Sequence, residues 1–301
     1  MAAPRDLPDG LTARSLTPDD VDAVVAMINA CEIADTGEVM WDRADLLADS
    51  STDGFDRERD WIGVLDDEAF VAWGLIVHRR SAWIDVHPVV RGRGVGTALR
   101  LWSIDRAREK GSDRIGQTID DRRTDVAAMF RAAGYTPRHT SWILRIDHAG
   151  TLQEPNPPDG VELRAIRPDD EAATFAMFEE AFTEFTDRLP SSAETWRAMT
   201  VGREGFRPDD LVVAVEDGRV IGGALLLNTD DEIWVDKIAV ARDRRHRGVA
   251  RALLETAFRR SADLGHDHTS LSTDSRTGAL TLYERLGMRV EASFTNYGID
   301  L

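Results

Sequence analysis

A six-residue pattern that occurs twice, at the same point of two similar stretches, constrains this chain more than any other feature. Arg245-His246-Arg247-Gly248-Val249-Ala250 follows an apolar run and precedes an amphipathic segment; Arg91-Gly92-Arg93-Gly94-Val95-Gly96 does the same 154 residues earlier (245 minus 91). Other landmarks repeat at nearly that offset. Pro8-Asp9-Gly10 matches Pro158-Asp159-Gly160, and Arg14 with Pro18-Asp19-Asp20 matches Arg164 with Pro168-Asp169-Asp170. Further on, Ala132-Ala133-Gly134-Tyr135 matches Arg285-Leu286-Gly287-Met288. Several matches in one order at one spacing mark an internal duplication. Each copy is about 150 residues, enough to bury a core of its own. The spacing therefore predicts two domains, 1–148 and 161–301, with a Gly- and Pro-punctuated linker at 149–160.

In the second copy Ile233, Val235, Ile238, Ala239 and Val240 form an apolar run interrupted by Trp234, Asp236 and Lys237, the pattern of a largely buried strand. The apolar positions change parity midway, which predicts a β-bulge near Asp236-Lys237. After the turn, Leu253, Leu254, Ala257, Phe258 and Ala262 recur at helical spacing, and Gly265 falls where a left-handed C-cap belongs. The first copy has a matching helix, Thr97 to Lys110, before Gly111. A strand feeding a glycine-containing turn at a helix start leaves backbone N–H groups without internal partners, with the positive end of the helix dipole behind them. That is an anion site, and a pyrophosphate fits it. Arg242, Arg244, Arg245, Arg247 and Arg251 add positive charge. Neither turn has the G-x-G-x-x-G of a dinucleotide fingerprint or the G-x-x-x-x-G-K of a P-loop.

The pattern [Q/R]-x-x-G-x-[G/A] in both turns resembles the GNAT superfamily of N-acetyltransferases, and Ala279-Leu280-Thr281-Leu282-Tyr283-Glu284-Arg285-Leu286-Gly287-Met288 resembles the family's A-x-x-L-Y-x-x-x-G-F. The resemblance implies an α/β (α+β) chain of two tandem GNAT domains, each a mixed, mostly antiparallel twisted sheet flanked by helices. It implies acetyl-CoA as cofactor, its pyrophosphate held by Arg91 to Gly96 and Arg245 to Ala250. Ile238, Ala239 and Val240 would supply main-chain groups for the thioester and pantetheine, because strands four and five splay in this family. Tyr283 falls on the family's tyrosine, the acid that protonates the departing thiolate; the alternative is a core aromatic with a satisfied hydroxyl.

The first copy has Phe130 at that position, and a phenyl ring has no proton to give. This copy is expected to keep the fold and lack turnover, with Tyr135 as the alternative acid. Two departures mark the second copy. Trp234 stands where several family members carry the general base, and Arg276 where an asparagine meets the cofactor. Asp236, then Glu232, are the remaining carboxylates in the bulged strand that could take a proton from an amine. Asp236 is equally placed to pair with an arginine. The leading expectation is an N-acetyltransferase acting on a small-molecule amine through the second copy. The rival is a non-catalytic acyl-CoA-binding or regulatory protein.

Acidic residues number 54 against 37 basic ones, a net charge of −17, which repels nucleic acid and anionic membranes and favours a cationic acceptor. One cysteine, Cys31, excludes an internal disulfide and fits a reducing compartment. No apolar run approaches the roughly 18 residues of a membrane span, so a cytoplasmic protein, monomer or homodimer, is expected. His266 and His268 lack a third ligand nearby, so no metal is expected.

Overall fold

The computed structural model describes residues 4–37, 39, 41, 43–50, 54–148, 152–184 and 190–301. In chain order the first half runs β1 (Leu11–Ser15), α1 (Val21–Thr36), α2 (Arg43–Asp49), β2 (Trp61–Asp66), β3 (Ala69–Val77), β4 (Ser81–Val86), α3 (Val95–Glu109), β5 (Arg114–Asp120), α4 (Thr124–Ala132) and β6 (Thr136–Asp147). The second half repeats it: β7 (Val161–Ala165), α5 (Glu171–Phe182), α6 (Ala193–Met199), β8 (Leu211–Glu216), β9 (Arg219–Asn228), β10 (Ile233–Val240), α7 (Val249–Asp263), β11 (His268–Asp274), α8 (Leu280–Arg285) and β12 (Arg289–Asp300). The mixed, mostly antiparallel sheets with flanking helices are those the sequence predicts. The segment Cys31 to Phe55 is more regular than its polar composition suggests. Its α1 continues to Thr36 and stops at Gly37, whose φ of 84° lets its N–H bond the Ile33 carbonyl at 3.0 Å. Gly54 also takes a left-handed φ, 76°. The sequence predicts a matching first helix in the second copy over Asp169 to Phe185; its α5 runs Glu171–Phe182, and Phe185 lies outside the described residues.

Two compact units form, one of the residues up to Arg138 together with Thr295–Leu301, the other of His139–Phe294. This division does not follow the 149–160 linker, because β6 and β12 each run from one unit into the other. In the second unit β6 pairs antiparallel with β11, from Ser141 opposite Asp274 to Asp147 opposite His268. In the first, the end of β12 lies beside β5: Leu301 N–H bonds the Asp113 carbonyl at 2.9 Å and Asn296 donates to Thr118 at 3.2 Å. Each copy thus supplies the closing strand of the other copy's unit. Sequence repeats cannot reveal such an exchange, since both arrangements pair the same residue types.

Within each unit the sheet has one helix layer per face. In the second unit, Leu253, Leu254 and Phe258 of α7 pack on Ile233, Val235 and Leu271, while Phe178 and Ala181 of α5 pack with Ala239 and Val213 on the other side. In the first, Leu99 and Trp102 of α3 pack with Ile62 and Ile115, and Val24, Ile28 and Cys31 of α1 with Trp61 and Trp73.

The duplication extends to ion pairs that join distant parts of each copy. Arg14 and Asp20 (2.6 Å) recur as Arg164 and Asp170 (2.6 Å), and Arg106 and Asp60 (2.7 Å) as Arg260 and Asp210 (2.9 Å). In the first two pairs the arginine holds the aspartate below the usual carboxylate range. The pair in the first unit's core is the deepest, with Asp60 fully buried and also accepting Asp56 N–H at 2.8 Å. Removing one partner of such a pair strands the other charge. Asp60→Ala should lower the unfolding free energy by about 3–5 kcal/mol, and the more exposed counterpart Asp210→Ala by clearly less. Urea midpoints of the two variants check this ordering.

Candidate cofactor turns and acceptor face

Both turns have the predicted geometry. In the second unit Arg245 is extended, His246 is left-handed (φ 61°), and Gly248 at the N-cap of α7 is left-handed again (φ 90°). In the first, Arg91 is extended and Gly92 (78°) and Gly94 (98°) take the two left-handed positions. A glycine N-cap has no side chain to satisfy the helix's first amides. Among the described residues no protein acceptor takes the N–H groups of 246–251; the first bond of the helix start is Ala252 N–H to the Gly248 carbonyl, 3.0 Å. Ala98 N–H to Gly94 plays the same part in α3. A Cβ on Gly248 would come no nearer than 3.8 Å to a neighbour, and one on Gly94 would meet nothing within 4 Å. The glycines are thus demanded by backbone angle, not by protein packing, and they leave the turn's outer side open. These features fit a pyrophosphate.

The arginines behave differently from the expectation that they lend free positive charge. Arg245 donates from Nε to the Val240 carbonyl (3.1 Å) and pairs through Nη1 with Glu184 (2.7 Å). Arg91 does the same with the Val86 carbonyl (2.8 Å) and binds Asp35 with both Nη atoms (2.6 and 2.9 Å). Arg244 and Arg247 share Glu216 (2.5 and 3.1 Å), Arg251 pairs with Glu255 (2.7 Å), and Arg242 approaches Glu184 (3.9 Å). The anion site is therefore made chiefly of amides and helix dipole, with guanidinium groups tying the turn to its surroundings.

Between turn and core, the sheet opens. The parallel ladder of β10 and β11 spans only Ile233–Val235 against Thr269–Leu271, so Lys237 to Val240, including Ile238, Ala239 and Val240, pair only with β9. The predicted bulge is present, the register shifting between Val235 and Lys237 and leaving Asp236 unpaired in the ladder. In the first unit β4 meets β5 only at Ser81 and Gly116, which opens the same edge, but its ladder with β3 runs without a shift.

Tyr283 is buried in the core cluster that holds Leu271, Val235 and Met288; burial pushes its phenol up to about 12, against a hydrogen bond with Thr273 of β11. Phe130, its counterpart, is sealed in the first unit's core against Tyr135 (ring centroids 4.8 Å apart), whose phenol burial also pushes up, and Tyr297 (6.2 Å). The Tyr297 hydroxyl accepts a bond from Arg131 at 2.7 Å. Arg276 is held by Asp274 at 2.6 Å, as Arg122 is by Asp120, so this position is part of a repeated turn.

On the face of β10 opposite Ile233 and Val235, the structure gathers Glu232, Trp234 and the bulge. Asp236 forms an ion pair with the adjacent Lys237, not with an arginine. Glu232 stands four residues before Asp236 and lies 3.2 Å from Nε2 of His268 on β11. The histidine's Nδ1 is buried without a partner. His268 carries no motif and enters the site only because Glu232 and His268 occupy neighbouring registers. The first unit holds another residue that sequence reading missed. Asp85, 154 residues before Ala239, accepts the Trp73 Nε1–H at 2.7 Å; burial, then Glu32 and Asp35, push its carboxyl up to about 6 against that bond.

A model of the acetyltransferase (GNAT) family matches residues 24–135 and 172–288. The mycothiol acetyltransferase of Pseudarthrobacter chlorophenolicus is 30% identical over 233 residues, 72% of this chain and 68% of that protein. The crystal structure of a GCN5-related N-acetyltransferase from Sphaerobacter thermophilus is 30% identical, covers 98% of this chain and 96% of its own, and superposes with a TM-score of 0.81. A tandem GNAT protein from the clavulanic acid biosynthesis pathway, at 17% identity, covers 96% and 98% with a TM-score of 0.72, a likeness of fold. Among the described residues no helix is long and apolar enough to cross a membrane, and no group of histidine, cysteine and carboxylate side chains is placed to hold a metal ion.

The turn geometry yields a direct test. Gly248→Ala adds about 1 kcal/mol of left-handed strain and narrows the approach to the amides, so coenzyme A affinity, measured calorimetrically, should fall roughly tenfold. Gly94→Ala should leave that affinity unchanged if the second turn dominates binding, and lower the stoichiometry if both turns bind.

Proposed function

From a chain that belongs to the GNAT acetyltransferase family, we infer an acetyltransferase that moves the acetyl group of acetyl-CoA to the amine of a small molecule, with the second unit carrying the chemistry. One observation carries the reading. Among the described residues, only the second unit combines an uncapped glycine turn, a bulged strand with an open edge, and a phenol buried in the same core cluster as Val235 and Val240 of that strand. The thioester supplies an activated acetyl group. The amides of His246 to Ala250 hold the pyrophosphate, and Ile238 to Val240 offer main-chain donors to the thioester carbonyl. Tyr283, kept protonated throughout the neutral range by burial, gives its proton to the departing sulfur.

The acceptor must shed a proton before it attacks, since an alkylamine has a pKa of roughly 10.4. Asp236 is the carboxylate nearest the open edge and takes that proton, through water where geometry requires. Lys237 beside it disfavours a second positive charge and so promotes the neutral amine. In the first unit Phe130 and the unbroken β3–β4 ladder support binding without turnover. The names of the curated relatives support a second reading, mycothiol synthesis.

Tyr283→Phe should cut kcat by about a hundredfold or more with coenzyme A affinity unchanged. Thiol release from acetyl-CoA and calorimetry check the two halves of that outcome, and unaltered kcat would remove Tyr283 from this role. Asp236→Asn should lower kcat most at low pH, where the amine is most fully protonated.

A further inference from the structure

The face of β10 that leads to the bulge has a charge pattern of its own. Glu232 has no guanidinium or ammonium group within ion-pair distance among the described residues; its neighbour is the His268 ring at 3.2 Å. The other carboxylates there are matched, Asp147 by Arg145 (2.8 Å) and Arg289 (2.6 Å), Glu291 by Arg145 (3.6 Å). Glu232 is four-fifths buried, so its charge is poorly screened and seeks a cation. Four residues of strand separate it from Asp236, about 13 Å at about 3.3 Å per residue. Trp234 lies between them on the same strand face, half-buried, and offers an apolar surface.

We propose that the acceptor is a linear dication: one amine is acetylated at the bulge, the second ammonium is held by Glu232, and the methylene chain between them lies along Trp234. This rests on the acetyl-transfer reading and adds the acceptor's class to it. It also gives Trp234 a task at the position where relatives of this fold carry a base. The Glu232 Oε2 that lies 3.2 Å from His268 Nε2 is buried and accepts no hydrogen bond, which leaves it to the second ammonium. A monoamine of equal length meets the same floor but leaves Glu232 without its cation, and a short diamine cannot reach from the bulge to the carboxylate.

The test uses the full-length protein with acetyl-CoA and three acceptors: octane-1,8-diamine, octylamine and propane-1,3-diamine. For the native protein KM should be lowest for the long diamine, by roughly tenfold or more against octylamine, the factor expected for one hydrogen bond to a charged group. Glu232→Gln should bring the ratio close to one. Equal KM values for octylamine and the long diamine in the native protein, or a preference that survives Glu232→Gln, overturn the proposal while acetyl transfer stands. Absence of thiol release with every amine overturns the acetyl-transfer reading itself.

Discussion

The first arginine of each turn fixes everything that follows from it. Its Nε is bonded to the carbonyl of the strand residue five positions earlier, Val86 or Val240, and its Nη atoms to a carboxylate at the end of the unit's first helix, Asp35, or just beyond it, Glu184. Those contacts bend the chain back on its own strand and direct the next residues into the helix start. The amides of that start are then left to a ligand. A helix macrodipole alone places about half a charge there; the bent turn concentrates it at one point. With the guanidinium charge spent on carboxylates in a chain of net charge −17, a pyrophosphate at this start would be met chiefly by local dipoles.

The two units share this skeleton and differ in what stands around the open strand edge. The second has a bulge, a phenol and a lysine–aspartate pair, while the first has an unbroken ladder, a phenyl ring and a carboxyl shifted toward neutrality at Asp85. The Arg14–Asp20 and Arg106–Asp60 pairs recur in both copies. They join helices to strands and loops, so a change in either member strands a charge. The residues around the edge carry no such double constraint and differ freely between the copies.

The proposed recognition of the acceptor rests on the same sheet geometry. A strand places every second side chain on one face, so Glu232 and Trp234 necessarily line up, and the bulge then resets the phase at Asp236. The face therefore reads as a ruler with a carboxylate at one end and the opening of the sheet at the other. Charge matching among Arg145, Asp147, Arg289 and Glu291 leaves Glu232 as the position where a ligand's cation has most to offer.

What was written locally was legible in advance. The two glycine turns, the helix stops at Gly111 and Gly265, the bulge at Asp236 and the exchange of tyrosine for Phe130 are all carried by short spacing, parity or residue type, and these depend on interactions between near neighbours. Tertiary structure alone decided the rest. Arg245 finds Glu184 61 positions away, Glu232 meets His268 across a ladder, and β6 and β12 change places between units. A guanidinium or carboxylate looks the same in sequence whether it is free or matched, and a strand's composition does not say which edge it will join. Charge partners and strand partners are chosen by three-dimensional proximity, which one-dimensional spacing does not encode.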